Sequence, residues 1–259
     1  QLICEKFSDN IDIKYRAFST RLGGTDLAGQ WNRCLAMIGS EEWVWFVPDD
    51  DVLGERSIQS VLETIESTTC NDVFVFVPSS NIDENGSCSR TPDAFPKEDT
   101  AENLYAEHLR GNIAGISLAS TVYRTDALRA TGGFVSFPLG WGSDHATFLL
   151  LSKATKVKVS QGGHIKFRSS RVNISNQKGN YREKMYARKL FSEFLSINSD
   201  VLFSKSMGER IKKLYFLKTE YFVRNIWGAS PQLVQDLQDI ANNLQIESST
   251  PRRIRYQTW

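Results

Sequence analysis

Trp43-Val44-Trp45-Phe46-Val47-Pro48-Asp49-Asp50-Asp51 sets an apolar run directly before three consecutive carboxylates. The run is rich in aromatic and β-branched residues, the composition of a buried strand. Adjacent acids at a strand end repel one another, a cost met when a cation or a donor-rich ligand answers them. Hard oxygen ligands on a short loop suit Mg²⁺ or Mn²⁺, which take one or two carboxylates and complete their shell with substrate phosphates. The competing reading is a solvated acidic turn, since turns favour Asp.

The segments around this stretch alternate strand and helix. Upstream, Leu2-Ile3-Cys4 is a short apolar run, and Ile11, Ile13, Tyr15 and Ala17 alternate with Asp12, Lys14 and Arg16 as in a half-exposed strand. Gly23-Gly24 breaks the chain, and Thr25 or Asp26 caps a helix whose apolar face is Leu27, Trp31, Cys34, Leu35 and Ile38. Downstream, Ile58, Val61, Leu62 and Ile65 keep helical spacing, and Val73–Val77 is apolar on both faces. Strands buried on both faces and separated by helices predict a mostly parallel α/β sheet flanked by helices. Ligands in such sheets sit at the carboxyl ends of the strands, where the acids stand.

Residues 79–99 are rich in Ser, Asn, Asp and Pro and read as a long loop, the kind that often serves as a lid. A helix is expected near Glu98–Arg110, an apolar stretch over Ile113–Tyr123 and a short helix over Thr125–Ala130, stopped by Gly132-Gly133-Phe134. Pro138–Gly142 is a Gly/aromatic loop, and Ser143-Asp144 opens a further helix. Val157–Val159 is a short strand, and Gly162-Gly163-His164 leads into a basic loop with Lys166, Arg168 and Arg171. From about Gly179 the texture is helical. This divides the chain into 1–178 and a C-terminal extension over 179–259.

The 259 residues carry 31 Lys and Arg against 30 Asp and Glu, so bulk charge does not make the protein a nucleic-acid binder. No apolar run reaches membrane-spanning length and no signal peptide is visible, which predicts a cytoplasmic protein. Cys4, Cys34, Cys70 and Cys88 show no CxxC spacing and read as reduced thiols. In the last third, Arg210, Lys212, Lys213, Lys218 and Arg224 are interleaved with Tyr215, Phe216, Tyr221, Phe222 and Trp227, and Arg252, Arg253 and Arg255 follow near the end. Packing helices with a solvated face are one reading. Peripheral contact with an anionic membrane through these basic helices is the other.

The ordered set of Asn32, Asp49-Asp50-Asp51, Tyr123-Arg124-Thr125-Asp126, Gly132-Gly133-Phe134 and Gly140-Trp141-Gly142-Ser143-Asp144 resembles the GT-A glycosyltransferases of family 2 type. The likeness covers roughly the first two-thirds of the chain. It implies a GT-A-like nucleotide-binding sheet and transfer of a sugar from a nucleotide-sugar donor to a saccharide or lipid-linked acceptor. Mn²⁺ or Mg²⁺ would assist, with inversion, in bacterial surface polysaccharide synthesis. The family's opening strand and helix have no counterpart in this sequence, which the resemblance reads either as an upstream unit missing here or as a divergent enzyme. On that alignment Leu2–Glu5 resembles the family's second strand, and Glu5 takes the place of the acid that contacts the donor base.

Asp49 and Asp51 are the expected metal pair, with Asp50 between them on the donor side. A nucleoside diphosphate leaves poorly while its charge is bare, and the attacking hydroxyl must lose a proton. Asp144 is the expected base, and a helix N-cap is its alternative role. Trp141 offers an acceptor sugar an aromatic face. His164 is a candidate third metal ligand, although a lone His is more often structural. Arg168 and Arg171 suit phosphate through their planar forks, and Asn32 is expected to reach the donor. Two other classes stay open. A nucleotidyltransferase would also use paired acids and a metal, and a non-catalytic sugar- or nucleotide-binding module needs no base.

Overall fold

The computed structural model describes residues 2–7, 11–69, 72–90, 94–113, 115–152, 156–177 and 179–246. The first half runs α1 (Leu2–Glu5), α2 (Leu27–Leu35), β1 (Trp43–Trp45), β2 (Val52–Leu53), α3 (Ser57–Glu66), β3 (Phe74–Phe76), β4 (Ser79–Ile82), β5 (Cys88–Arg90) and β6 (Glu98–Thr100). There follow α4 (Ala101–Arg110), β7 (Thr121–Arg124), α5 (Thr125–Ala130), α6 (Ser143–Ser152), β8 (Lys156–Val159) and β9 (Ile165–Arg168). The chain then turns helical through α7 (Tyr181–Leu202), α8 (Lys205–Phe222) and α9 (Pro231–Asn243).

Local chemistry sets several of these boundaries. Asp26 caps α2 by accepting from Gly29 N at 2.8 Å, and Thr100 caps α4 by accepting from Asn103 N at 3.2 Å. Gly111, in the left-handed region at φ 83°, ends α4. Pro231 follows the Ser230 cap at the start of α9.

Two sheets form. The larger has the order β1-β7-β3-β8-β6, and the smaller β2-β9-β4-β5. In the larger sheet β7 runs antiparallel to both β1 and β3, β8 is parallel to β3, and β6 is antiparallel to β8. The fold is therefore a mixed α/β architecture, not the mostly parallel sheet expected from the sequence. Apolar runs report burial on both faces, and a strand inserted in the opposite direction is equally buried. Three strands, β1, β3 and β8, still share one direction. The acids leave the carboxyl end of β1, and β3 passes through Val77-Pro78 into β4, so both carboxyl ends lead into the smaller sheet.

Side-chain alternation along β3 builds the core on both faces. Phe74 and Phe76 enter the main cluster, with Leu104, Tyr105, Phe134, Phe148, Phe191 and Ile211. Val75 and Val77 enter a smaller cluster with Val61, Val122 and Ile165.

Four further expectations are corrected. Leu2–Glu5 is a short helix rather than a strand. Residues 11–17 carry no strand, and Ile11 and Tyr15 are exposed: alternation alone makes no sheet without a partner edge. The expected long loop over 79–99 contains β4, β5 and β6, because β4 pairs in parallel with β9 and turns back through Asp83–Gly86 onto β5. The basic loop after His164 likewise begins as strand β9.

Candidate functional site

The Pro48–Asp51 turn closes through Asp51 N donating to Pro48 O at 3.3 Å. Asp51 Oδ1 accepts from Arg168 N at 3.0 Å, and Asp50 Oδ2 accepts from Asn173 Nδ2 at 2.7 Å. Burial raises the Asp51 carboxyl to about 6, against the Arg168 hydrogen bond and with the neighbouring Asp50 and Asp49 charges adding to the rise. Asp49 is exposed at the turn tip.

These three acids open onto a cavity of about 610 Å³, within the range of small-molecule sites. Its acid side is completed by Asn81, Phe167 and the segment Val172–Ser175. Its helical side is built from α4, α6, α7 and α8 and includes Tyr105, Asp144, His145 and Arg188. Trp141 and Asp144 line the same cavity as Asp49–Asp51, although they lie far along the chain.

The loop before α6 can be read residue by residue. Gly142 has φ +86°, and a Cβ there would stand 3.0 Å from the Phe191 ring, so glycine is needed both for backbone and for space. Leu139, at φ 60°, holds a left-handed conformation that costs a non-glycine residue energy. Phe137 N donates to Ser143 Oγ at 3.0 Å, which ties the loop to the helix start. Asp144 lies in the first turn of α6 rather than at the cap, and its Oδ1 accepts from His145 N at 2.9 Å. The partial positive charge of a helix start favours the carboxylate there.

The chain over 169–177 straps across the acid side. Asn173 grips Asp50. Lys184, 1 % exposed, donates to Ser175 O at 3.1 Å and Gln177 O at 2.7 Å, and stands 4.7 Å from the Trp141 ring centroid. Burial, and then the Arg188 charge, lower this ammonium to about 8. One face of Trp141 is thus held by Lys184.

The remaining sequence candidates lie outside the cavity wall. Arg168 spends its side chain on carbonyls: Nε donates to Asp50 O at 3.0 Å, and Nη1 to Asp83 O and Glu84 O at 3.2 Å. It clamps the acid turn to the β4–β5 turn. Arg171 is exposed, and its backbone N donates to Glu84 Oε1 at 3.0 Å. Asn32 holds both backbone groups of Phe134, donating to its O at 3.1 Å and accepting from its N at 2.7 Å. A Cβ on Gly133 would strike Asn32 Oδ1, which accounts for the second glycine of the Gly-Gly-Phe turn. Glu5 sits exposed on α1.

His164 is not brought to the acids. Its carbonyl accepts from Gly54 N at 2.9 Å and Ser57 Oγ at 2.7 Å, three residues beyond Asp51 along the β2–β9 ladder, roughly 10 Å at strand spacing. Burial lowers its imidazole pKa, with Lys166 adding to the fall. Among the described residues, no three of His, Cys, Asp and Glu converge as a preformed metal site.

Sequence reasoning passed over Tyr105, His108, His145, Arg188 and Lys218 as site residues. A signal existed for Arg188. It falls between Met185 and Phe191 on the apolar face of α7, a charge in the register of the core. No protein-family model matches the chain, and a search of curated proteins finds no match either.

Proposed function

We propose that this protein is a GT-A-like glycosyltransferase that moves a sugar from a nucleotide-sugar donor to a hydroxyl of a saccharide or lipid-linked acceptor. One observation carries the reading: Asp49–Asp51, Trp141 and Asp144, distant in sequence, line a single cavity of nucleotide-sugar scale. Two exposed or half-buried carboxylates on a turn suit Mg²⁺ or Mn²⁺, which complete their shells with substrate phosphates rather than an all-protein cage. Asp49 and Asp51 would hold the ion, which when bound supplies charge neutralisation at the diphosphate. His164 has no part in that set.

The chain's own residues divide the remaining work. Asp144 takes the proton of the attacking hydroxyl, with inversion as the stereochemical outcome. The 169–177 strap covers the acid side and excludes water. Trp141, steadied by Lys184, presents its remaining edge and face to the acceptor. Work on bacterial surface polysaccharide in the cytoplasm, at the membrane face, fits such an acceptor. Among the described residues no helix is long and apolar enough to cross a membrane. Arg210, Lys213 and Arg224 remain exposed on the helical region, while Arg252, Arg253 and Arg255 lie outside the described residues.

The test is linkage. Nucleoside diphosphates with and without Mn²⁺ are screened for thermal stabilisation of wild type and Asp51→Ala. Stabilisation by the two together, exceeding the sum of each alone and lost in Asp51→Ala, is expected. Equal nucleotide stabilisation with and without the ion in wild type overturns the reading.

A further inference from the structure

The helical side of the cavity gathers positive charge and hydrogen-bond donors, Arg188 and Lys218 among them. Arg188 is 6 % exposed, and no described carboxylate forms an ion pair with it. Its Nη1 donates to Thr219 Oγ1 at 2.9 Å, while its Nε is buried without a partner. The guanidinium otherwise meets aromatic faces, 4.6 Å from the Phe222 centroid and 5.6 Å from that of Tyr215. Cation–π contact of this kind offsets only part of the cost of burying a charge.

Lys218 adds a second cation on the same wall. Its Nζ donates to His108 O at 3.1 Å and lies 3.4 Å from His108 Nε2. While Lys218 is an ammonium, as it is below pH 7, it only donates, so Nε2 then accepts and the proton of His108 sits on Nδ1. That Nδ1 is buried without a partner, and so is the hydroxyl of the fully buried Tyr105. Three unsatisfied groups, Arg188 Nε, His108 Nδ1 and Tyr105 Oη, therefore offer protons beside one cavity. Burial, with Arg188 adding to it, lowers Lys218 to about 7. Asp144 lines the cavity too, yet it acts on Tyr105 and His145 rather than on Lys218.

We propose that the helical side of the cavity is a binding site for a compact oxyanion, a carboxylate or phosphate carried by the acceptor, held by Arg188 and Lys218 with the Tyr105 hydroxyl and His108 Nδ1. The word acceptor rests on the transferase reading above; the oxyanion site does not. Guanidinium and ammonium form their strongest hydrogen bonds with charged oxygens, and an unpaired buried donor costs more than a typical bond contributes. An oxyanion here satisfies Arg188 Nε, His108 Nδ1 and the Tyr105 hydroxyl and draws on the Lys218 charge, while Asp49–Asp51 across the cavity repel it and keep it on the helical side. The site thus sorts acceptors by charge.

The experiment is calorimetric titration below pH 7 with EDTA present and no nucleotide, so that it stands apart from the metal test. The probes are inorganic phosphate, methyl glucuronide and the neutral methyl glucoside. Binding of at least one anion, roughly tenfold or more tighter than the glucoside, is expected. Phosphate alone points to a phosphate-bearing acceptor, glucuronide alone to an acidic sugar, and both to a site that takes either; each supports the proposal. Arg188→Met and Lys218→Met should each weaken the anion roughly tenfold, and Asp51→Asn should retain it. Should Arg188→Met fail to fold, Lys218→Met, at a partly exposed position, decides alone. Anions bound no better than the glucoside, anion binding that survives the decisive substitutions, or anion binding lost in Asp51→Asn overturns the site.

Discussion

At the residue scale, two carboxylates carry opposite assignments. Asp51 is pushed up to about 6 because burial disfavours its charge, so the folded protein binds its proton more tightly than the unfolded chain, whose Asp titrates near 3.8. Its contribution is favourable below that lower value and is lost as pH rises through about 6. Metal-free wild type is therefore expected to lose stability relative to Asp51→Asn between about pH 4 and 6.5, by about 1–2 kcal/mol once its partial exposure is discounted. Stabilisation by Mn²⁺ should grow across the same window, and melting curves for both proteins with and without the ion check both trends. A wild-type stability that climbs over this range relative to the variant contradicts the raised carboxyl. Asp144 is tested by its isostere. Asn keeps an oxygen to accept from His145 N, so Asp144→Asn should fold and bind nucleotide as wild type does. It lacks the basicity, and sugar transfer should fall by about a hundredfold or more. Near-normal transfer would reduce Asp144 to an anchor of the α6 start.

At the element scale, the helices were legible in the sequence and the sheet pairings were not. The helices α2, α3, α4, α5 and α6 stand close to where the sequence put them, and the chain beyond residue 179 is helical as expected, because an amphipathic period and a cap are local properties. β3 was equally plain, with both faces apolar and both faces in a core. The polar strand Ser79–Ile82 was invisible, since Ser and Asn disfavour strands and only its pairing with β9 makes it one. Conversely Ile11–Ala17 had the right alternation and no partner. The candidate site divides along the same line. Asp49–Asp51, Trp141 and Asp144 follow from where a strand ends and where a helix begins, and the cavity contains them all. Asn32 and Arg168 were singled out as ligand groups, yet each holds backbone atoms of a turn distant in sequence, a task set by tertiary contact. Lys218 was read as one charge of a cationic helix and Arg188 was passed over, because a helix wheel does not say that a cavity lies against its apolar face.

At the scale of the whole molecule, the division at about residue 178 meets a continuous core. Phe191 of α7 lies 6.3 Å from Tyr105 of α4, 5.8 Å from Phe137 and 5.0 Å from Tyr215 of α8, centroid to centroid. Met185, Leu195, Ile211 and Tyr215 belong to the same buried cluster as Phe74, Leu104 and Phe148. Glu102 Oε2 accepts from Ser204 N at 3.1 Å, and α8 packs along α4. The helical region also supplies one wall of the cavity, so site and core depend on it together. Each fully buried side chain of this size contributes about 1.5–3 kcal/mol, and a whole domain is stable by only about 5–15 kcal/mol. Losing Met185, Phe191, Leu195, Ile211 and Tyr215 at once removes stabilisation of that order and bares the apolar faces of α4 and α6. A chain ending at residue 178 is therefore expected not to fold cooperatively. It should show weak near-ultraviolet circular dichroism, bind a hydrophobic dye and melt without a sharp transition. The full chain should melt in one transition, with near- and far-ultraviolet signals coinciding. A sharp independent melt of the shortened chain, with native aromatic signals, would show that residues 1–178 form a domain of their own and that the helices only decorate it.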